Sequence, residues 1–300
     1  MATCGRVLTM PELPEVHGLC MYLDTQLHGA VLTEVRINSI SALKTADPPY
    51  TALEGRSILG ARRIGKFVCL DADGLFFVFH LAKAGWVRYT EHPSSAGLRM
   101  GKSNISARLL LHRPADDAHI GVDLTEAGTK KSLAIYVVRD PEDVPGIATL
   151  GPEPLSPDFD LEAMAAIVGS SSQQIKGLLR SQSVIAGIGN AYSDEILHAA
   201  RISPFATAKS LDQATVARLY EAMQEILVGA VNAAAGKPSS ELKDTKRSNF
   251  RVHARTGQPC PVCGDTVREV SFADTSLQYC PTCQTNGKIL ADRRTSRFLK

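Results

Sequence analysis

Residues Gln173 to Pro204 read QQIKGLLRSQSVIAGIGNAYSDEILHAARISP. Apolar residues at helical spacing are interrupted by Gly187-Ile188-Gly189, and a second helical run begins at Asn190. The stretch predicts a helical hairpin, with Asn190 placed to cap the second helix and Tyr192, Ser193 and Asp194 in its first turn. A glycine turn feeding a helix N-terminus presents backbone N–H groups at the positive end of the helix dipole, where a phosphate is well accommodated. Many hairpins use glycine only to reverse direction, so the neighbouring segments must decide between the two readings.

Downstream, Cys260-x2-Cys263 is followed after sixteen residues by Cys280-x2-Cys283, a spacing that suits one tetrahedral metal held between two tight turns. Four thiolates leave no open coordination position, so one structural Zn2+ is expected, with paired disulfides as the alternative. Twelve of the 33 Lys/Arg but only six of the 31 Asp/Glu lie from Gly236 onward. The overall net charge of +2 therefore conceals a basic C-terminal end, suited to a phosphate backbone or to a solvated surface. Cys20 and Cys69 fall at apolar positions of a helix and a strand, where buried inert thiols are expected.

Upstream, helices are expected near 160–168 and 173–182, then 191–200 and 210–233 beyond the turn. Residues 140–157 carry five prolines and read as a linker. Before it lie short β-rich runs at 31–37, 67–70, 75–81, 86–89, 105–111, 120–124 and 133–138, which predict an antiparallel sandwich or barrel. Val16, Leu19, Cys20, Leu23 and Leu27 recur at the spacing of one buried face, predicting a helix over 14–28. The fold class expected is α+β. Its segments are an extension at 1–9, a β-sandwich domain with a flanking helix at 10–139, a linker at 140–158, a helical domain at 159–249, a β-hairpin zinc ribbon at 250–290 and a basic tail at 291–300. No run approaches the roughly 18 apolar residues of a membrane span, and residues 1–9 lack a secretory core, so a cytoplasmic protein without a membrane partner is expected.

Met10-Pro11-Glu12-Leu13-Pro14-Glu15-Val16 resembles the opening of the formamidopyrimidine-DNA glycosylase and endonuclease VIII family, and more closely the first. The resemblance continues through Lys66, His80-Leu81 and Gly85, then Leu150-Gly151-Pro152-Glu153-Pro154-Leu155, the Gly187 to Tyr192 turn and the ribbon. It implies a helix-two-turn-helix domain and a base-excision-repair enzyme, a bifunctional DNA glycosylase and abasic-site lyase acting as a monomer on damaged double-stranded DNA.

The roles it implies have a physical basis. A terminal proline is a secondary amine with a pKa near 8, able to attack the sugar C1′ and form an iminium that permits β-elimination. Pro11 takes that role, Glu12 the acid/base role at the sugar ring, and Lys66 pairs with flanking phosphates and assists elimination. Glu15, Lys83, Gly187, Gly189, Asn190, Tyr192 and Arg251 are the expected DNA-site residues. The base must leave the stack to be reached.

This chain departs from the family at four places. Ten residues precede Pro11, whose nitrogen is an amide unless translation starts at Met10, the start we expect. Lys83 and Glu142-Asp143 stand where relatives insert a methionine and an Arg-Phe pair into the gap left by the flipped base. Thr275 replaces the ribbon arginine linked to δ-elimination, with Lys246, Arg247, Arg251, Arg255, Arg293 and Arg294 as other cations nearby in sequence. The segment 236–249 is shorter than the usual lesion-capping loop. A non-catalytic damaged-DNA-binding protein of the same fold is the alternative reading.

Overall fold

The structure is a computed structural model describing residues 10–94, 103–127, 131–242, 250–272 and 275–291. The expected extension at 1–9, the tail beyond 291, and Lys246, Arg247, Arg293 and Arg294 lie outside the described residues. The chain divides into two compact units, residues 1–149 with 234–243, and residues 150–233 with 244–300.

The first unit opens with α1 (Leu13–Leu27), which buries Val16, Leu19, Cys20, Leu23 and Leu27 as their spacing predicts. Among the described residues eight strands follow: β1 (Val31–Ile37), β2 (Gly60–Ile64), β3 (Phe67–Asp71), β4 (Phe76–His80), β5 (Gly85–Thr90), β6 (Ile105–Arg113), β7 (Ala118–Glu126) and β8 (Ala134–Val138). They form two four-stranded antiparallel sheets, ordered β1-β6-β7-β5 and β2-β3-β4-β8. Leu109, Ile120, Val122 and Leu124 of the first sheet share one core with Val68, Leu70, Phe77, Phe79 and Val137 of the second. Each fully buried aliphatic side chain there contributes about 1.5–3 kcal/mol of transfer free energy.

The alternate residues of the second sheet are buried too. Phe67, Cys69, Val78 and Val138 pack with Val144 and Ile147, the latter in the single-turn helix α2 (Pro145–Ala148). This corrects the reading of 140–158 as a plain linker, because its first half covers the outer sheet face. Gly146 permits the approach, since a Cβ there would meet the Phe67 ring at 2.7 Å.

The second unit holds α3 (Leu161–Ser170), α4 (Ile175–Arg180), α5 (Asn190–Ala199) and α6 (Gln213–Ala234). A hairpin of β9 (Arg268–Ser271) and β10 (Ser276–Tyr279) follows, then α7 (Pro281–Thr285). These are the helical hairpin and ribbon the sequence predicts. The span 159–249 is nevertheless split, because residues 234–243 rejoin the sandwich. There the Trp86 indole donates to the Ser239 carbonyl at 2.8 Å, and Leu242 and Ala234 close on Gly18, where a Cβ would lie 2.9 Å from each.

Candidate active site and metal centre

Pro11 and Glu12 are buried just ahead of α1, with Glu12 at its N-cap and the Glu12 amide donating to the Glu15 carboxylate at 2.8 Å. Glu12 and Glu15 are 2% and 4% exposed, so both carboxylates sit away from bulk water. Lys66 occupies the turn joining β2 to β3, next to Gly65 in the left-handed region, and is itself buried.

The packing of α1 brings these residues to one end of the unit. Near the C-terminal end of the helix, the Asp24 carboxylate accepts from the Ala61 amide at the start of β2. Just past the helix, the Gly29 amide donates to the Ile58 carbonyl ahead of β2 at 2.8 Å. Helix and strand therefore run in opposite directions. From Asp24 back to Leu13, eleven helix residues at about 1.5 Å each match the five residues from Ala61 to Lys66 at about 3.3 Å, which carries Lys66 level with the start of α1.

His80 closes this end opposite Phe67 in the ladder, with its Nδ1 accepting from the Ala82 amide at 3.1 Å. Burial, and then the charge of Lys66, push its imidazole down to about 4. Lys83 is exposed at the tip of the β4–β5 turn, where the Gly85 amide donates to the Leu81 carbonyl at 2.8 Å. Gly85 has no room for a side chain, since a Cβ would run into the Leu81 carbonyl. Glu142 and Asp143 are exposed in a 3-10 turn that the Asp140 side chain caps by accepting from the Glu142 amide.

In the second unit, Asn190 does not cap α5. Gly189 holds the extended N-cap position and Asn190 is the first helical residue. Its amide nitrogen instead donates 2.8 Å to the Ser276 carbonyl in β10, tying hairpin to ribbon. Its Oδ1 is buried with no partner among the described residues. Gly187 takes a φ of +83°, and its N–H donates to the Gln182 side chain at 3.0 Å, while the Gln182 amide donates to the Ile188 carbonyl at 2.6 Å. The Gly187 amide is thus committed inside the turn.

Beneath the turn lies a polar network that sequence reasoning missed. Buried Lys176 donates to the Asn190 carbonyl, to Ser193 Oγ and to Asp194 Oδ1, at 3.1, 2.8 and 2.6 Å. The other Asp194 oxygen lies 2.8 Å from His253 Nδ1. Glu195 accepts from the amides of Arg251, Val252 and His253 at 2.8, 3.0 and 2.8 Å. Burial raises its pKa while those three amides oppose the shift. Arg251 is held through its backbone, and its guanidinium sits 4.0 Å from Glu225. Tyr192 packs edge-on against Phe250. Only the Lys176 to Asp194 spacing was available as a signal, and nothing in it marks burial.

The four ribbon cysteines converge as free thiols, with Cys263 and Cys280 sulfurs 3.3 Å apart and those of Cys260 and Cys283 3.9 Å apart. Four thiolates about 2.3 Å from one zinc would lie roughly 3.8 Å from each other, so the cluster fits Zn2+. His198, at the end of α5, brings its Nε2 to 3.3 Å from Cys260 Sγ. The centre is structural, since four thiolates complete the tetrahedron.

Comparison with known proteins agrees with this architecture. Residues 10–125 match the formamidopyrimidine-DNA glycosylase N-terminal domain, 150–241 the formamidopyrimidine-DNA glycosylase H2TH domain, and 257–286 the zinc finger found in FPG and IleRS. A formamidopyrimidine-DNA glycosylase of Symbiobacterium thermophilum is 32% identical over 297 residues, covering 95% of this chain and 93% of the relative. The chain belongs to the formamidopyrimidine-DNA glycosylase family.

An uncharacterized formamidopyrimidine-DNA glycosylase-like protein of Mycobacterium tuberculosis is 60% identical over 151 residues, half of this chain and 94% of that protein. Among solved structures, the MutM (Fpg) protein of Thermus thermophilus superposes with a TM-score of 0.75 at 31% identity, covering 91% of this chain and 98% of that one. As a formamidopyrimidine-DNA glycosylase family member, the chain carries the family's sandwich, helix-two-turn-helix domain and zinc finger. The first match begins at Met10, the residue before Pro11.

Proposed function

We propose that this protein is a base-excision-repair DNA glycosylase with an associated abasic-site lyase activity, acting as a cytoplasmic monomer on damaged double-stranded DNA. The observation that supports the proposal is the opposed run of α1 and β2, fixed by the Asp24–Ala61 and Gly29–Ile58 bonds, from which helix and strand rise bring Pro11, Glu12 and Lys66 towards the same end of the sandwich. In a chain that begins at Met10 and loses it, Pro11 presents a secondary amine. Its lone pair attacks the sugar C1′, and the bond to the damaged base breaks. Glu12, buried at the N-cap of α1, is the group that protonates the opening ring oxygen in this reading. The resulting iminium acidifies the C2′ proton, and loss of that proton expels the 3′ phosphate. Lys66 supplies positive charge for the flanking phosphate. Glu15 positions the Glu12 backbone through the bond described above, Lys83 and Arg251 serve the DNA grip as cations, and Gly187, Gly189, Asn190 and Tyr192 serve it by shaping the turn and helix end.

A second reading, a damaged-DNA-binding protein without turnover, is favoured by one observation. In the chain of 300 residues the Pro11 nitrogen is an amide, which has no nucleophilic lone pair. Borohydride trapping on an abasic duplex separates the two. A chain starting at Met10 should give a covalent adduct, and the 300-residue chain should give one only after processing. If neither forms an adduct or nicks the duplex while both bind it, the enzymatic reading is wrong.

A further inference from the structure

We propose that His198 is an outer-sphere partner of the zinc centre, donating its Nε2–H to the Cys260 thiolate and anchoring α5 to the metal. A zinc ion held by four thiolates carries a net charge of −2, and the Cys260 and Cys280 residues that share it are 2% and 0% exposed. Excess negative charge at that depth is costly unless N–H groups point at the sulfurs. His198 is equally buried, and its Nε2 stands 3.3 Å from Cys260 Sγ, within the range of an N–H···S bond.

The other ring nitrogen fixes the proton's place. His198 Nδ1 is buried with no partner among the described residues. A proton on Nδ1 alone would waste that donor and set the Nε2 lone pair against a thiolate. A proton on Nε2 satisfies the sulfur and leaves only a weak acceptor unused.

The bond joins two modules. At its first residue, α5 reaches the ribbon through Asn190 and Ser276, and at its last turn through His198 and Cys260. Just beyond α5, the Gln284 amide of α7 donates to the Ile202 carbonyl at 2.9 Å while its oxygen accepts from the Cys280 amide at 2.9 Å. The metal therefore braces the same helix whose N-terminus ends the glycine turn, and His198 is a positioning residue.

The test uses the full zinc-loaded chain and two variants. His198→Phe fills the volume without a donor, and His198→Gln restores an amide N–H at similar reach. Competition with a chelator should show the Phe variant binding zinc about 10–100-fold more weakly and the Gln variant recovering part of the loss. In cobalt-substituted protein, the sulfur-to-metal charge-transfer band should move to lower energy in the Phe variant, because the unbonded thiolate is easier to oxidise. Equal zinc retention and an unmoved band in the Phe variant would overturn the proposal. So would a cobalt spectrum of the unaltered chain showing three sulfurs and one nitrogen, which would make His198 a ligand in its own right. If the Phe variant does not fold, cadmium-113 substitution of the unaltered chain decides. Coupling between the metal and the His198 Nε2 proton supports the bond, and a proton found on Nδ1 alone refutes it.

Discussion

Lys176 Nζ lies 2.6 Å from Asp194 Oδ1 beneath the glycine turn, with side-chain exposures of 6% and 0%. Breaking one half of such a pair strands the other charge in a poorly solvated site. Lys176→Met should therefore destabilise the second unit by about 3–5 kcal/mol, read by thermal or urea denaturation. The double change Lys176→Met with Asp194→Leu should recover a good part of that loss. A double variant no better than the single one would mean the network acts by some route other than charge burial.

The pH profile carries a signature of His80. Its folded pKa of about 4 lies below the ordinary value of 6.5, so the unfolded chain binds the proton more readily. Stability from this group is full above the unfolded value and falls as pH drops from about 6.5 towards 4, by up to ~1.4 kcal/mol per pH unit. His80→Gln should flatten the stability curve in that window, and NMR titration of the unaltered protein should leave this imidazole neutral at pH 5.

Within the proposed chemistry, Glu12 and Lys66 act at different atoms and should fail differently. Glu12→Gln removes a proton donor at the sugar ring and should slow base release by roughly 10²–10⁴-fold. Lys66→Ala should weaken binding with a salt slope reduced by about one, because one phosphate contact is lost. Both are measured on a lesion-bearing duplex with a chain starting at Met10. A Glu12→Gln variant releasing base at the original rate would remove Glu12 from the mechanism.

Thr275 ends the β9–β10 hairpin turn, its carbonyl accepting from the Phe272 amide at 2.7 Å. A neutral side chain there offers no cation to a departing 5′ phosphate, so the dominant product should carry the unsaturated sugar of β-elimination. Thr275→Arg should raise the share of 3′-phosphate ends on a sequencing gel. An unaltered chain that already yields mostly 3′-phosphate would show that another cation fills the place.

The periodic elements were legible because burial is written in their spacing. The apolar stripe of α1 and the runs that became β3, β4, β6 and β7 each answer to one face or both faces of a core. Strand β2 escaped notice. Its sequence GARRI offers two adjacent arginines, and it lies at a sheet edge where no residue is fully buried. The cysteine spacing announced the metal, but nothing local marks His198, whose partner lies 62 residues away. Asn190 has a capping residue's chemistry, but the extended Gly189 takes that position and leaves the amide side chain to reach the ribbon. The segment 140–158 reads as linker because its prolines break helices and strands, yet the apolar residues of its first half have a sheet face to cover.

The return of residues 234–243 to the sandwich bears on how the protein is made. Synthesis delivers the eight described strands of the sandwich by Val138, but the Gly18 notch stays uncovered until Leu242 has been added. The first unit must therefore wait, with part of its apolar surface wet, while most of the second is translated. A fragment cut at Thr149 should be sticky and poorly soluble, and a short peptide spanning 234–243 should rescue it in trans.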